Sequence, residues 1–172
     1  MKNWQQITDK IVSLDTAKTL ASYWKDADEK TVFTNGCFDI LHRGHVTYLA
    51  KAADKGKHLI VAINTDKSVK KQGKGKNRPI HDENSRAIVL AALSCVSLVI
   101  LFDNETPLEI IKRLQPDVLV KGADYDANIN DPTNKKYIVG SKEVKAYKGE
   151  VTTIELEEGF STTTIIQKIK EE

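Results

Sequence analysis

Two features that often decide a protein's compartment are nearly missing from this 172-residue chain. Cysteine occurs only as Cys37 and Cys95, so at most one disulfide could form, and a disulfide framework of the kind found in small secreted domains is excluded. Both are read as reduced thiols. No apolar run approaches the roughly 20 residues that a bilayer-spanning helix needs. The opening MKNWQQITDK likewise lacks the apolar core of a signal peptide. A cytoplasmic location without a membrane partner is therefore expected. Internal repeats and low-complexity tracts are also absent.

Acids are missing from one stretch in particular. Lys67, Lys70, Lys71, Lys74, Lys76 and Arg78 follow one another with no Asp or Glu between them, while the rest of the chain, with 20 cations against 24 acids, is acidic by −4. One basic loop on an acidic protein argues against a broad nucleic-acid surface and for a local polyanion site. Its glycines and cations fit a mobile lid that closes on phosphate; the plainer alternative is a solvated loop.

What is present is the composition of a globular domain, 40% hydrophobic and 29% charged. Short runs rich in β-branched residues read as strands buried on both faces: Thr31 to Asn35, His58 to Asn64, Ser97 to Phe102, Asp117 to Lys121 and Val151 to Leu156. Helical patterns lie between them, from Gly44 to Lys55, from a cap at Asp82 to Leu93, and from Thr106 and Pro107 to Leu114, with a last helix from Ser161 to Lys170. Asp124 to Asn134, rich in Asp, Asn and Pro, reads as a long loop. Alternating strands and helices imply a doubly wound, Rossmann-like α/β fold with a five-stranded parallel sheet. Residues 31–172 would form this domain, and residues 1–30 an N-terminal helical extension with Leu14, Ala17, Leu20, Ala21 and Trp24 at helical spacing.

The first strand runs straight into NGCFDILHRGH, Asn35 to His45. In sheets of this kind ligands bind beyond the carboxyl ends of the strands, where the strand order reverses. Zinc fits this segment poorly: Cys37, His42 and His45 would be three ligands of four, and Cys95, His58 and His81 are isolated in sequence. A phosphate explains more residues at once. Gly36 allows close approach of the backbone, the turn into a helix near Gly44 offers free N–H groups and a favourable dipole, and His42 and His45 could converge on one anion. Far along the chain, GFSTTTIIQKI (Gly159 to Ile169) places Ser161, Thr162 and Thr163 where hydroxyls and helix N-terminal amides could meet phosphates; the alternative is an ordinary N-cap.

With these two motifs the sequence resembles the cytidylyltransferase-like nucleotidyltransferases, which carry an HxGH signature and a closing Ser-Thr-Thr motif. Within that family it is most similar to the stand-alone heptose 1-phosphate adenylyltransferase domains of lipopolysaccharide core synthesis, through FTNGCFDILHRGHVTYL, VAINTD, NRPIHDENSRAIVLAAL, LQPDVLVKGADY and the Gly159 motif. The resemblance implies adenylyl transfer from ATP, with magnesium as counter-ion and no dedicated protein ligand for the metal, to a sugar 1-phosphate. The sequence shows no kinase pattern, so the sugar 1-phosphate is expected to come from another protein. His42, His45, Lys71 and Lys74 would be catalytic. Asn35, Gly36, Cys37, Phe38, Asp39 and Gly44 would line the nucleotide turn, and Gly122 and Asp124 would lie near the nucleoside. Arg86 would face the triphosphate, while Gly159, Ser161, Thr162 and Thr163 would hold the leaving pyrophosphate. Asn64, with Lys71 and Lys74, would contact the sugar phosphate. For Asp39, metal or ribose contact competes with a role in holding the turn.

The family often forms dimers, which makes a homodimer the expectation. Two departures stand out: Phe160 occupies a place where relatives often have a smaller residue, and LEEGFSTT lacks the arginine that glycerol-3-phosphate cytidylyltransferases commonly carry. The rivals are a cytidylyltransferase acting on glycerol 3-phosphate or another alcohol phosphate, and a module that senses nucleotide without turning it over.

Overall fold

The computed structural model describes residues 2–73, 78–157 and 159–171. Each expected apolar run is a strand: β1 (Thr31–Gly36), β2 (His58–Asn64), β3 (Leu98–Phe102), β4 (Val118–Gly122) and β5 (Glu150–Ile154). All pair in parallel in the order β3-β2-β1-β4-β5. The order reverses between β1 and β4, so the loops leaving those two strands open a crevice at the carboxyl edge.

The helices are α1 (Lys2–Thr8), α2 (Leu14–Asp26), α3 (Arg43–Ala53), α4 (Asp66–Lys71), α5 (Glu83–Ala91), α6 (Leu108–Leu114), α7 (Ser141–Ala146) and α8 (Thr162–Lys170). Side chains alternate across the strands, so successive residues feed two separate cores. Val32, Leu59, Val61 and Ile63 pack with Leu49 of α3 and Leu90 of α5. Phe33, Ile60, Ala62 and Leu119 point the other way, toward Ala17 and Ala21 of α2 and Ile111 of α6. Burying each large aliphatic side chain contributes about 1.5–3 kcal/mol relative to exposure. Among the described residues no helix is long and apolar enough to cross a membrane.

Local chemistry sets the helix starts. Asp82 caps α5 as expected, accepting from the Asn84 and Ser85 amides, and Ser13 caps α2 through the Thr16 amide at 3.1 Å. The N-terminal extension contains two helices, and it also adds to the sheet edge: the Val12 amide donates to Val99 O at 3.0 Å and the Val99 amide to Lys10 O at 2.8 Å. The expected basic loop from Lys67 to Arg78 needs correction in its first part, because Lys67, Lys70 and Lys71 belong to α4, which is capped by Thr65, while Lys74 and Lys76 lie outside the described residues. Lys67 also pairs with Asp103 at 2.6 Å. Between Gly122 and Ser141 the chain forms turns without helix or strand, so the expected long loop is present.

Candidate active site

At the end of β1 the chain turns sharply. Phe38 adopts a left-handed conformation (φ 47°) and lays its ring over Gly36, where an added Cβ would stand 3.0 Å from Phe38 Cε2. The ring then meets His45 edge-on at 5.2 Å between centroids. His42 sits at the N-cap of α3 with extended backbone, and its side chain makes no capping bond. It is thereby left to stack on His45, with centroids 3.8 Å apart and planes 24° from parallel. Nδ1 of both rings is closed off from solvent with no hydrogen-bond partner among the described residues. Buried polar atoms in that state are costly, and a bound anion or its water would relieve the cost.

Burial holds both imidazoles toward the neutral form. For His42 desolvation alone lowers the pKa. His45 is pulled from 6.5 to about 4, chiefly by desolvation and further by the neighbouring His42, with the Ile40 carbonyl working weakly the other way. A histidine so depressed takes up its proton earlier in the unfolded chain than in the folded one. The stability it contributes is therefore complete above 6.5 and lost as the pH falls from there to about 4. His45→Gln, which cannot titrate, is expected to remove that part of the acid slope. Urea midpoints measured for both proteins across this range check it, and identical slopes would refute it.

The opposite wall is built by the far end of the chain. Gly44 lets Phe160 approach, since a Cβ on Gly44 would stand 3.1 Å from Phe160 Cβ. Arg43 lies over the Phe160 ring at 5.2 Å and also bonds Glu157 at 2.6 Å. Thr47 donates to the other Glu157 oxygen at 2.8 Å. These contacts stitch the HRGH turn to the GFSTT turn, and the large Phe160 fits because glycine faces it. Between the two turns lies a cavity of about 350 Å³ whose lining includes His42, His45, Lys121, Asp124, Ser161 and Thr162.

The model for cytidylyltransferase-like proteins matches residues 33–168, most of the chain. This protein belongs to that family. Among curated relatives, the bifunctional protein HldE of Magnetococcus marinus is 47% identical over 162 residues, covering 94% of this chain and 31% of that protein. The HldE of Gluconobacter oxydans is 46% identical over 160 residues, covering 93% and 32%. The chain thus spans about a third of the length of the curated relatives it matches. Among solved structures, a lipopolysaccharide core biosynthesis protein from Thermoplasma volcanium aligns with a TM-score of 0.58 and 26% identity, covering 75% of this chain and 97% of that one. The pantoate-beta-alanine ligase of Francisella tularensis aligns with a TM-score of 0.60 at 13% identity, covering 94% and 78%, a likeness of fold alone.

Several expected site residues occupy other places in this cytidylyltransferase-like fold. Arg86 does not face the cavity. It is 2% exposed and makes four hydrogen bonds, to the carbonyls of His81 (3.1 Å), Cys37 (2.7 Å) and Asn64 (2.8 Å) and to Asp66 Oδ1 (2.8 Å). Its guanidinium ties the ends of β1 and β2 together, and an exposed helix charge is excluded as well. Asp39 is 3% exposed and accepts from the Ile80 and His81 amides and from Arg78 Nε. It holds the turn.

Ser161 caps α8 by accepting from the Thr164 amide at 3.0 Å, so its hydroxyl is engaged, while Thr163 is exposed outside the cavity. The first amides of α8 keep the free N–H groups of any helix start. Gly159 takes a left-handed conformation (φ 81°) in the turn before them. Gly122 permits close packing, with Asp124 Oδ1 2.6 Å from a built Cβ. Lys71 lies on α4 away from the histidines, and Lys74 lies outside the described residues. Asn64 lines a second, adjoining cavity, while Cys37 lines both it and the first.

The lining residues that escaped the sequence reading include Tyr48 and Lys121. Tyr48 is buried with its hydroxyl 2.8 Å from Thr34 Oγ1, and burial raises its pKa. Lys121 reaches Asn35 O at 3.1 Å and Asn35 Oδ1 at 3.0 Å. Helical spacing hides the first among core residues; the second is the lone basic residue in the VLVKG strand, a usable signal.

Proposed function

We propose that this chain is an adenylyltransferase that joins ATP to a sugar 1-phosphate, with D-glycero-β-D-manno-heptose 1-phosphate as acceptor for lipopolysaccharide core synthesis, releasing pyrophosphate. The observation that carries it is the stacked His42–His45 pair, each Nδ1 without a hydrogen-bond partner among the described residues, across one cavity from the N-terminus of α8. The HldE relatives and the Thermoplasma protein support the choice of acceptor.

In this reaction a phosphate oxygen of the acceptor forms a bond to the α-phosphorus of ATP. The bond from that phosphorus to the oxygen bridging toward the β-phosphorus breaks in line, and its electron pair departs on pyrophosphate. The attacking phosphate is already ionised at neutral pH, so no strong base is needed and catalysis rests on positioning and charge neutralisation. His42 and His45 stabilise charge developing on the α-phosphate and the bridging oxygen. Anionic phosphates beside the pair favour its protonated form, reversing the depression seen in the free site. The amides at the start of α8 hold the departing pyrophosphate.

The cavity's donor set fits magnesium brought in on the triphosphate. Asp124 and Glu157 are carboxylates in the lining, and Glu157 is already held by Arg43 and Thr47, so Asp124 would be the protein group to hold the ion beside phosphate oxygens and water. The ion, when bound, neutralises phosphate charge. The test compares ATP with CTP for pyrophosphate release against sugar 1-phosphates and glycerol 3-phosphate. ATP with a sugar 1-phosphate is expected to turn over fastest; preference for CTP with glycerol 3-phosphate, or no turnover with any pair, overturns the assignment.

A further inference from the structure

β1 and β4 flank the crevice, yet they pair over a short stretch. Their parallel register stops at Phe33–Leu119, although β1 runs to Gly36 and β4 to Gly122; on its other side β1 stays paired with β2 as far as Gly36–Ile63. Beyond that point side chains take over. Asp117 and Ala123 bond β5, through the Glu150 amide and the Ile154 carbonyl, so backbone alternation turns the Val120 carbonyl toward β1. There it accepts from the Tyr48 hydroxyl at 3.3 Å, and Tyr48 Oη is also 2.8 Å from Thr34 Oγ1. A carbonyl can only accept, so one arrangement satisfies both contacts: Thr34 donates to Tyr48, and Tyr48 donates to Val120. One residue further along, Lys121 Nζ donates to the Asn35 carbonyl at 3.1 Å.

Tyr48 links this crevice to the histidines. It follows His45 by three residues on α3, which puts the two on one face about 4.5 Å apart along the helix axis. Both Tyr48 and Thr34 are buried, so water does not compete for the hydroxyl chain. The apolar contacts of Leu49 and Ala52 that also hold α3 to the sheet are non-directional, whereas a hydroxyl bonded to both strands fixes distance and direction. We propose that Tyr48 is a positioning residue for adenylyl transfer: the Thr34–Tyr48–Val120 chain fixes α3 against both strands of the crevice and thereby sets where His45 meets the α-phosphate. This rests on the adenylyl-transfer function above. Because the hydroxyl acts through His45, its loss appears in kcat and not in substrate binding.

Tyr48→Phe keeps the ring and removes one oxygen. It is expected to lower kcat by at least about tenfold, while the KM for ATP and for the acceptor each change by less than about threefold. The same substitution made in a His45→Ala background separates positioning from mere structure, because a residue that acts through His45 has little left to lose there. A further fall in kcat of at most about threefold is expected in that background. If Tyr48→Phe fails to fold, Thr34→Val removes the donor to the same oxygen and is expected to show the same pattern, with Thr34→Ser retaining the wild-type kcat. A smaller fall in kcat, a loss carried by KM, or a loss undiminished in the His45→Ala background overturns the positioning role. Wild-type protein that releases no pyrophosphate with any sugar 1-phosphate defeats the adenylyl-transfer function itself. Wild-type turnover that Tyr48→Phe leaves unaltered defeats the positioning role alone.

Discussion

His45→Ala is expected to lower the turnover rate by roughly 100-fold or more and to leave the protein folded, because on the proposed function it deletes one preorganised electrostatic contact to the transition state. His45 stacks on His42, meets the Phe38 ring and carries a buried Nδ1 with no hydrogen-bond partner among the described residues. Removing it takes away a desolvated group whose charged form the fold disfavours, so no large loss of stability accompanies the substitution. Single-turnover pyrophosphate release, read beside circular dichroism, checks both halves. Near-normal release from the variant would sink the catalytic role.

The second large effect is on stability. Arg86→Met is expected to cost about 3 kcal/mol or more, the range for removing one member of a buried, charge-assisted network. The buried guanidinium satisfies the carbonyls of Cys37, Asn64 and His81, and a methionine would leave those acceptors facing an apolar side chain. Arg86→Lys should recover little, since a point charge cannot reproduce a planar fork. Urea unfolding measures the cost. Weakened ATP binding at unchanged stability would instead return Arg86 to the phosphates.

The fate of Arg86 illustrates what could and could not be read from the sequence. The strands were legible because strands buried on both faces need continuous β-branched runs, and all five are where those runs lie. The longer helices α3, α5 and α8 were legible from caps and spacing, although α3 begins at Arg43 with His42 as cap. The short helices α1, α4 and α7 were not, since six or seven residues carry too little periodicity, whereas α6, of similar length, was legible from its Thr106–Pro107 start. In α4 the lysines that looked like a mobile charge run are the polar face of a helix whose Ser68 and Val69 are buried.

At the site, the histidine pair and the α8 turn were legible as motifs. The direction in which a charged side chain points was not: Asp39 and Arg86 turn inward to brace the loops, whereas Lys121, on a strand that reads as core, emerges at the junction of two cavities. Spacing places a residue on an element, but packing decides which face it serves.

The Thr47–Glu157 bond spans 110 positions of the chain. Closing a loop of that size carries an entropic cost, so the cavity is expected to be among the last features to appear as the polypeptide folds. A nascent chain halted before β5 would already own its histidine pair yet lack the facing wall. Regain of activity during refolding accordingly reports completion of the whole domain, and lags behind recovery of helical signal by however long the carboxyl-terminal turn takes to dock.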